Sequence, residues 1–429
     1  MKKGDHLYRQ YVSILHEELR PAMGCTEPIA LAYAAAKARQ LLGAIPSYVD
    51  VMVSGNIIKN VKSVVVPNTG GHHGIATAIC AGIILGDADK ELQVISNPAT
   101  NEDLLGLEEY MSRVQIRIGP SKSGLVFDID LALFDDFNNC VRLRIVNHHT
   151  NIVLMEKNGE KLLDLPVEES SEDHLTDKSC LNIESIVEFA NCVDLSDIEA
   201  VVGRQIDCNM AIAREGIQNN WGANIGSVLL AHQSDLLSKR AAAYAAAGSD
   251  ARMSGCEMPV IILSGSGNQG ITASVPVVVY AEATGKTREQ LLRSVVLSDL
   301  VTIHQKTGIG RLSAYCGAIS AGCGAGAGIA YLMGGGLHAV AHTVVNSVAI
   351  LSGTICDGAK PSCAAKIAAA VDAGILGWQM HEEHQQFYGG DGIVTKGVDK
   401  TVKNIGRLAS EGMRQTDATI LEIMLSDGC

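Results

Sequence analysis

The chain has 429 residues, of which 47% are hydrophobic and only 4% are aromatic, and its formal net charge is -13. This length exceeds one ordinary hydrophobic core, so we expect more than one domain. The acidic charge, and a sequence without basic patches interleaved with aromatic residues, argue against a nucleic-acid-binding protein, since Lys and Arg on phosphates supply most of that affinity.

Residues 1–45 are predicted to form a helical segment that is interrupted at RPAMGCTEP. Charged residues occur throughout its beginning, so the apolar core of a signal peptide is missing and we expect a cytoplasmic protein. Disulfides are rare in the cytoplasm. The 12 cysteines are therefore expected to be buried thiols, nucleophiles or metal ligands.

The GCTEP sequence predicts the start of a helix. Thr26 is a favourable N-cap and Pro28 suits the first turn. Cys25 would then lie at a helix N-terminus, where the helix dipole favours a thiolate. Glu27 would be either a structural carboxylate matched to the dipole or a proton-transfer group. An ordinary buried cysteine before an ordinary cap is the alternative.

Residues 46–166 are predicted to form an α/β domain. Two stretches, 74–86 and 101–114, have helical spacing of their apolar residues. Short runs rich in β-forming residues and separated by turn residues predict strands, and these runs are 48–55, 62–66, 92–96, 114–119, 125–134 and 141–155. The last run contains turn residues at 147–151, so it is expected to be a hairpin.

The acidic and polar residues 167–178 are the predicted domain boundary. After them, residues 179–429 are predicted to be helical, which makes the fold class α+β, with a small α/β domain in the N-terminal half and an all-helical C-terminal half. Residues 312–356 contain no charged side chain and are long enough to span a membrane. Glycine runs and polar side chains interrupt them, so we expect buried helices instead.

A pair of cysteines brackets the sequence CDGAKPSC. Gly358 and Pro361 predict a turn between Cys356 and Cys363, so the two thiols could converge. Cys316 or Cys323 could supply a third. Three thiolates suit an iron–sulfur cluster, whereas structural zinc normally takes a fourth Cys or His ligand. The alternative is a set of inert buried thiols.

Two glycine-rich turns, Val65–Gly74 and Ile262–Gly270, could hold a small anion on their backbone amides. Plain connecting turns are the alternative. The sequence has neither a dinucleotide-binding nor a P-loop glycine pattern in the required setting. His72, His73 and His304 are possible acid–base groups or hydrogen-bonded structural histidines.

Taken together and in this order, the motifs GCTEP, VKSVVVPNTGG, SGSGNQGI, IHQKTGIGRLSAYCG and CDGAKPSC resemble those of the L-cysteine desulfidase family. That family is similar to the iron–sulfur L-serine dehydratases through its α-chain-like C-terminal half. The resemblance implies β-elimination of L-cysteine to pyruvate, ammonia and hydrogen sulfide without pyridoxal phosphate. It also implies a [4Fe–4S] cluster held by Cys316, Cys356 and Cys363, with a vacant iron site for the substrate's β-substituent.

The resemblance places a reactive cysteine at Cys25, as base or sulfur-handling nucleophile, with His304 the weaker catalytic candidate. Candidates for binding the substrate's carboxylate and amine are Asn68, Thr69, Gly70, Gly267, Asn268 and Gln269. The last two cluster cysteines lie closer together than in serine dehydratases, which favours the desulfidase branch.

Three other functions stay open at this point. An L-serine dehydratase would use the same cluster with a hydroxyl leaving group, an iron or redox sensor would hold it without turnover, and a membrane carrier would use the charge-free segment. The expected partner is a small amino acid, L-cysteine or L-serine, rather than nucleic acid or a membrane, and a homodimer is open. We also hypothesise that Cys429 at the C-terminus covers the vacant iron site, against the alternative of a frayed terminus.

Overall fold

The N-terminal half contains a six-stranded sheet. This computed structural model describes residues 1–167, 175–310 and 313–426 of the chain. The strands are β2 (Tyr48–Val53), β3 (Gln115–Pro120), β4 (Asp128–Phe134), β5 (Cys140–Val146), β6 (Ile152–Lys157) and β7 (Glu160–Asp164), in the spatial order β3-β2-β4-β5-β6-β7. β2 and β3 are parallel, and the other pairs are antiparallel. The predicted hairpin is confirmed as β5–β6.

Within the described residues, the N-terminal half also contains five α-helices, including one that packs on the sheet. They are α1 (His6–Glu18), α2 (Thr26–Leu42), α3 (Gly55–Val61), α4 (Ile75–Leu85) and α5 (Asn101–Arg113). Val49, Val51 and Val53 alternate along β2 with more exposed residues and are fully buried, as expected for a strand with one covered face. α2 lies against β4 and β5 and also packs on α4.

Two predicted strands, at residues 62–66 and 92–96, are wrong. Most of their apolar residues are buried, but residues 62–66 lie in a loop, and residues 92–96 lie at the end of a short 3-10 helix and the turn after it. The backbone groups of both segments find local partners. The Val66 amide donates to His72 O, and the Val94 amide donates to Glu91 O. Apolar burial alone therefore does not make a strand where turns already satisfy the backbone hydrogen bonds.

The C-terminal half is built almost entirely from helices. In chain order they are α6 (Ile183–Cys192), α7 (Glu199–Gln218), α8 (Ile225–Gln233), α9 (Leu237–Met253), α10 (Gly267–Ala283), α11 (Arg288–Ile309), α12 (Gly317–Leu332), α13 (Leu337–Ile350), α14 (Ser362–Glu382), α15 (Val398–Arg407) and α16 (Arg414–Ser426). The α+β fold class is thus confirmed, while the three-part division into domains stays a prediction.

One strand departs from the all-helical C-terminal half. β8 (Pro259–Ile262) pairs antiparallel with β1 (Arg20–Met23) from the N-terminal segment. Val260 and Ile261 are fully buried, and a buried backbone needs hydrogen-bond partners, which β1 provides. This small sheet brings GCTEP, directly after β1, next to the glycine-rich turn directly after β8.

The charge-free segment forms α12 and α13. α12 packs between α11 and α14, and glycine makes the approach close: a Cβ on Gly326 would lie 2.3 Å from Gly374 O. Among the described helices, none combines the length and apolar composition needed to span a membrane.

Candidate active site

A cavity of about 640 Å³ collects residues from both halves of the chain. Four thiols line it, those of Cys25, Cys316, Cys356 and Cys363. They come from the start of α2, the start of α12, the loop before α14 and the first turn of α14, so segments more than 300 residues apart in sequence meet here. The cavity is therefore the candidate active site.

Cys316 and Cys356 are held opposite each other by a short antiparallel bridge. The Cys316 amide donates to Thr354 O at 2.9 Å, and the Cys356 amide donates to Ala314 O at 2.7 Å. The two buried thiols interact, which raises the pKa of Cys316 and lowers that of Cys356. The two cysteines are therefore close enough to influence each other's ionisation.

Cys363 reaches the same cavity from the first turn of α14. Its amide donates to Lys360 O at 2.9 Å, which closes the predicted turn. Gly358 in this turn has φ +101°, and a Cβ there would lie 2.1 Å from Lys59 O. The loop between the two cysteines thus packs directly on the end of α3, and only glycine fits at the contact.

Cys323 lies elsewhere. It is within α12, 1% exposed, and its thiol is 3.8 Å from Val344 O. The described lining of the cavity does not include it. Of the two candidates for a third converging thiol, Cys316 is therefore the one that lies with Cys356 and Cys363.

The thiols of Cys316, Cys356 and Cys363 are the candidate ligands of an iron–sulfur cluster, whose requirements differ from those of a single metal ion. Within the described parts of the chain, no three His, Cys, Asp or Glu side chains converge closely enough to bind one metal ion. A cubane makes a different demand, because each cysteine binds a different iron and the thiols must border one space. All eleven described cysteines are free of disulfides, and the positive charges of Lys59 and Lys366 act on Cys356. The donor set therefore fits a cluster held by three cysteines.

Cys25 donates a hydrogen bond from its thiol to Glu27 Oε2, at 3.2 Å. Thr26 Oγ1 lies 3.0 Å from the same oxygen and 3.0 Å from Gly265 O, so its single proton is shared between these two acceptors. Asn60 Nδ2 donates to Oε1 at 3.0 Å. Burial alone would raise the pKa of Glu27, but the charge of His149 and these donors outweigh it, so the pKa lies below its usual range. Glu27 is therefore a buried carboxylate with both oxygens occupied.

The prediction that Cys25 is a thiolate needs correction, because the structure favours the thiol. Cys25, rather than the predicted Thr26, is the N-cap of α2, so Cys25 does lie at the helix N-terminus. Burial, followed by the negative charge of Glu27, nevertheless raises its pKa well above the usual value. These two effects raise the pKa of Cys25 by more than the helix dipole lowers it. In this arrangement Cys25 is a thiol whose proton points at a carboxylate.

The second glycine-rich turn forms the cavity wall opposite Glu27. Thr26 Oγ1 donates to Gly265 O at 3.0 Å, joining this turn to GCTEP. α10 begins at Gly267, and both Asn268 and Gln269 line the cavity. The Gln269 amide lies directly on Gly317, where a Cβ would be 2.7 Å from Gln269 Cδ. The predicted substrate-binding residues of this turn are thus adjacent to the segment that carries Cys316.

Other predicted site residues lie outside the described cavity lining. Asn68 Nδ2 donates to Ile95 O at 2.6 Å, and Thr69 donates to Val66 O at 2.7 Å, so with Gly70 at φ +71° they shape their own turn. His304 Nε2 lies 2.9 Å from Asp399 Oδ1, between α11 and α15. The side chains of Asn68, Thr69 and His304 therefore each make a hydrogen bond within the fold rather than facing the cavity. Cys429 is outside the described residues.

Sequence reasoning missed several charged residues of the cavity. Lys59 is 3% exposed and pairs with Asp417 at 2.5 Å, and Arg252, at the end of α9, is 2% exposed. A lysine in a short helix and an arginine after an alanine-rich run resemble surface residues in sequence. Nothing in the local pattern distinguishes them, because their burial comes from elements distant in sequence.

Comparison with known proteins identifies the family. The profile of the serine dehydratase alpha chain family matches residues 89–422. A UPF0597 protein of Desulfitobacterium hafniense (strain Y51) is 54% identical over 426 residues, which cover 99% of each chain. UPF0597 proteins of Lachnoclostridium phytofermentans and Treponema denticola are 45% and 43% identical, and each alignment covers 98% of this chain and at least 98% of the relative. The chain belongs to the serine dehydratase alpha chain family.

Proposed function

We propose that this protein is a cytoplasmic iron–sulfur lyase that converts L-cysteine and water into pyruvate, ammonia and hydrogen sulfide by β-elimination. The observation that carries the proposal is the meeting of Cys316, Cys356 and Cys363 on one cavity, beside a glycine-rich helix start. Family membership supports a lyase, and the motif resemblance to L-cysteine desulfidases supports the substrate.

Cys316, Cys356 and Cys363 are proposed to hold a [4Fe–4S] cluster. When bound, this group supplies Lewis acidity to the leaving sulfur of the substrate. The nearby Lys59 and Lys366 offset part of the negative charge of three thiolates. The loop between Cys356 and Cys363 packs on Lys59 O at Gly358, where a side chain would clash. This contact holds the loop in place.

Proton transfer is assigned to Cys25. Its thiol donates to Glu27 Oε2, and the raised pKa of Cys25 with the lowered pKa of Glu27 keeps this proton on the sulfur in the substrate-free arrangement. The proposal therefore requires that substrate binding moves the proton to Glu27 and leaves a thiolate facing the cavity. Cys25 then acts either on the α-proton or on the leaving sulfur of the substrate. Gly267, Asn268 and Gln269 are proposed to bind the amino-acid end of the substrate. His304, Asn68, Thr69 and Gly70 are not part of this proposal, because they are engaged elsewhere.

The test is anaerobic purification followed by iron and sulfide analysis and by assays of pyruvate and hydrogen sulfide on L-cysteine. The proposal expects about four irons per chain, as in a single cubane, and equal amounts of pyruvate and hydrogen sulfide. Iron without any product would favour a sensor. Product without iron would overturn the role of the cluster.

The second candidate function is an L-serine dehydratase. The family profile of the serine dehydratase alpha chain favours it, since a hydroxyl can leave from the same site. Side-by-side values of kcat/KM for L-cysteine and L-serine on the same preparation separate the two. A higher value for L-cysteine supports our proposal, and a higher value for L-serine supports this alternative.

A further inference from the structure

Arg252 is a buried cation that forms no ion pair with any carboxylate of the described residues. Its side chain lines the cavity and makes one hydrogen bond, from Nη1 to Asn268 Oδ1 at 3.0 Å. Its Nε is buried and has no hydrogen-bond partner. Within residues 1–167, 175–310 and 313–426, no carboxylate lies within ion-pair distance of the guanidinium. A buried charge that lacks an ion pair is costly, because burial removes its hydration.

The guanidinium lies on the first residue of α10. A Cβ on Gly267 would be 2.3 Å from Arg252 Nε, so the arginine packs directly against the helix start. The first amides of a helix have no partner within the helix, and the dipole there favours negative charge. A fixed cation and a helix N-terminus therefore favour an anion in the same part of the cavity.

Arg252 and the start of α10 lie close to the candidate reacting groups of the cavity. The charge of Arg252 acts on Cys25 and Glu27 on one side and on Cys363 on the other. Gln269, from the first turn of α10, lies against Gly317, the residue after Cys316. An anion bound here would therefore lie near Cys25 and Cys363 and near the segment that carries Cys316.

We propose that Arg252, held by Asn268 and acting with the N-terminus of α10, binds the α-carboxylate of the substrate and so restricts the site to α-amino acids. The inference rests on the proposed function, from which it takes an amino-acid substrate. A guanidinium matches a carboxylate with two parallel N–H donors. Amines of the same length that lack the carboxylate, such as cysteamine, are expected to be rejected.

The experiment compares two ligands that cannot react. Ligand-observed NMR titrations of anaerobically purified protein measure the dissociation constants of L-alanine, which has the carboxylate, and of ethylamine, which does not. Arg252→Gln should weaken L-alanine binding by about 10- to 100-fold, the range for a charge-assisted hydrogen bond, and leave ethylamine unchanged. Arg407→Gln is the matched control, because Arg407 is an exposed arginine paired with Glu411.

Arg252→Met separates binding from folding. A buried cation without an ion pair destabilises the substrate-free protein, so replacement by an apolar side chain should keep or raise Tm while L-alanine binding falls. If Arg252 has only a structural role, this variant should have a lower Tm than the wild type. The proposal is overturned if L-alanine binds both Arg252 variants as it binds the wild type, or if the folded wild type does not bind L-alanine.

Turnover on L-cysteine distinguishes this inference from the proposed function. If L-alanine binding depends on Arg252 but the wild type releases no hydrogen sulfide, the proposed reaction fails and the carboxylate site stands. If the wild type releases hydrogen sulfide and Arg252→Gln leaves both KM and L-alanine affinity unchanged, the carboxylate site fails alone.

Discussion

At Cys25 two electrostatic effects act in opposite directions. The N-terminus of α2 favours a thiolate by about 0.3–1 kcal/mol for an exposed group. Burial and the charge of Glu27 favour the thiol, and they determine the direction of the pKa. Sequence could predict the helix start, since GCTEP contains the cap and the proline. It could not predict the burial, because Val64, Met253 and Ala359, which are distant in sequence, complete the enclosure.

Replacing Cys25 tests its proposed role. Cys25→Ser should keep the iron content, since Cys25 is not one of the proposed ligands, and should lower kcat by about 100-fold or more, the usual contribution of a proton-transfer group. A serine hydroxyl still donates to Glu27 but is a far weaker base and nucleophile than a thiolate. The control is Cys256→Ser, at a buried cysteine outside the described cavity lining. Loss of iron from Cys25→Ser would instead make Cys25 a ligand.

Asp299 is a second residue whose ionisation depends on distant elements. It lies within α11, fully buried, and its carboxyl accepts from Gln205 Nε2 at 2.9 Å. Burial raises the pKa of Asp299 to about 8. The folded state therefore binds a proton that the unfolded state has lost between about pH 4 and pH 8, so the free energy of unfolding falls as pH rises through this range.

Asp299→Asn should remove that dependence. The wild type is expected to lose at most about 1.4 kcal/mol of unfolding free energy per pH unit from this one group. The asparagine variant keeps an oxygen for Gln205 and has no charge to bury, so it should be the more stable protein above pH 8. Urea unfolding at pH 5, 7 and 9 measures the effect. Identical pH slopes for the two proteins would contradict the assignment.

At the scale of elements, the sequence predicted those that depend on local signals. The β5–β6 hairpin follows from two β-rich runs and a polar turn. The runs at 62–66 and 92–96 have the same composition, but their buried backbone is satisfied within loops. The β1–β8 pair was not predicted, because its strands have four residues each and lie more than 230 residues apart.

The contact between α12 and α14 depends on glycine. Gly326→Ala would place a Cβ 2.3 Å from Gly374 O, so the helices must separate, at a cost of about 1–3 kcal/mol in unfolding free energy for overpacking. This loss should exceed the gain in helix propensity, which is about 1 kcal/mol. Urea unfolding is the measurement. The control is Gly336→Ala, since an added Cβ there meets no atom within 4 Å; equal stability of the two variants would contradict the packing account.

At the scale of the whole molecule, the candidate site exists only because the two halves meet. The hydrogen bond from Thr26 to Gly265 O and the β1–β8 pair hold GCTEP against the start of α10. Motif resemblance predicted that Cys25, Asn268 and Gln269 share a site with three cysteines, and all of them line one cavity. Arg252 and Lys59 could not be predicted, because their burial results from this long-range packing.

The central claim is that three particular cysteines hold the cluster, and iron content tests it most directly. Wild type and four single variants, Cys316→Ala, Cys356→Ala, Cys363→Ala and Cys323→Ala, are purified anaerobically and analysed for iron and for the visible chromophore of the cluster. We expect each of the first three variants to lose most of its iron and Cys323→Ala to keep the wild-type content, because Cys323 is enclosed within α12. Loss of iron from Cys323→Ala but not from Cys316→Ala would contradict the ligand assignment, and wild-type iron in all four variants would contradict the cluster site itself.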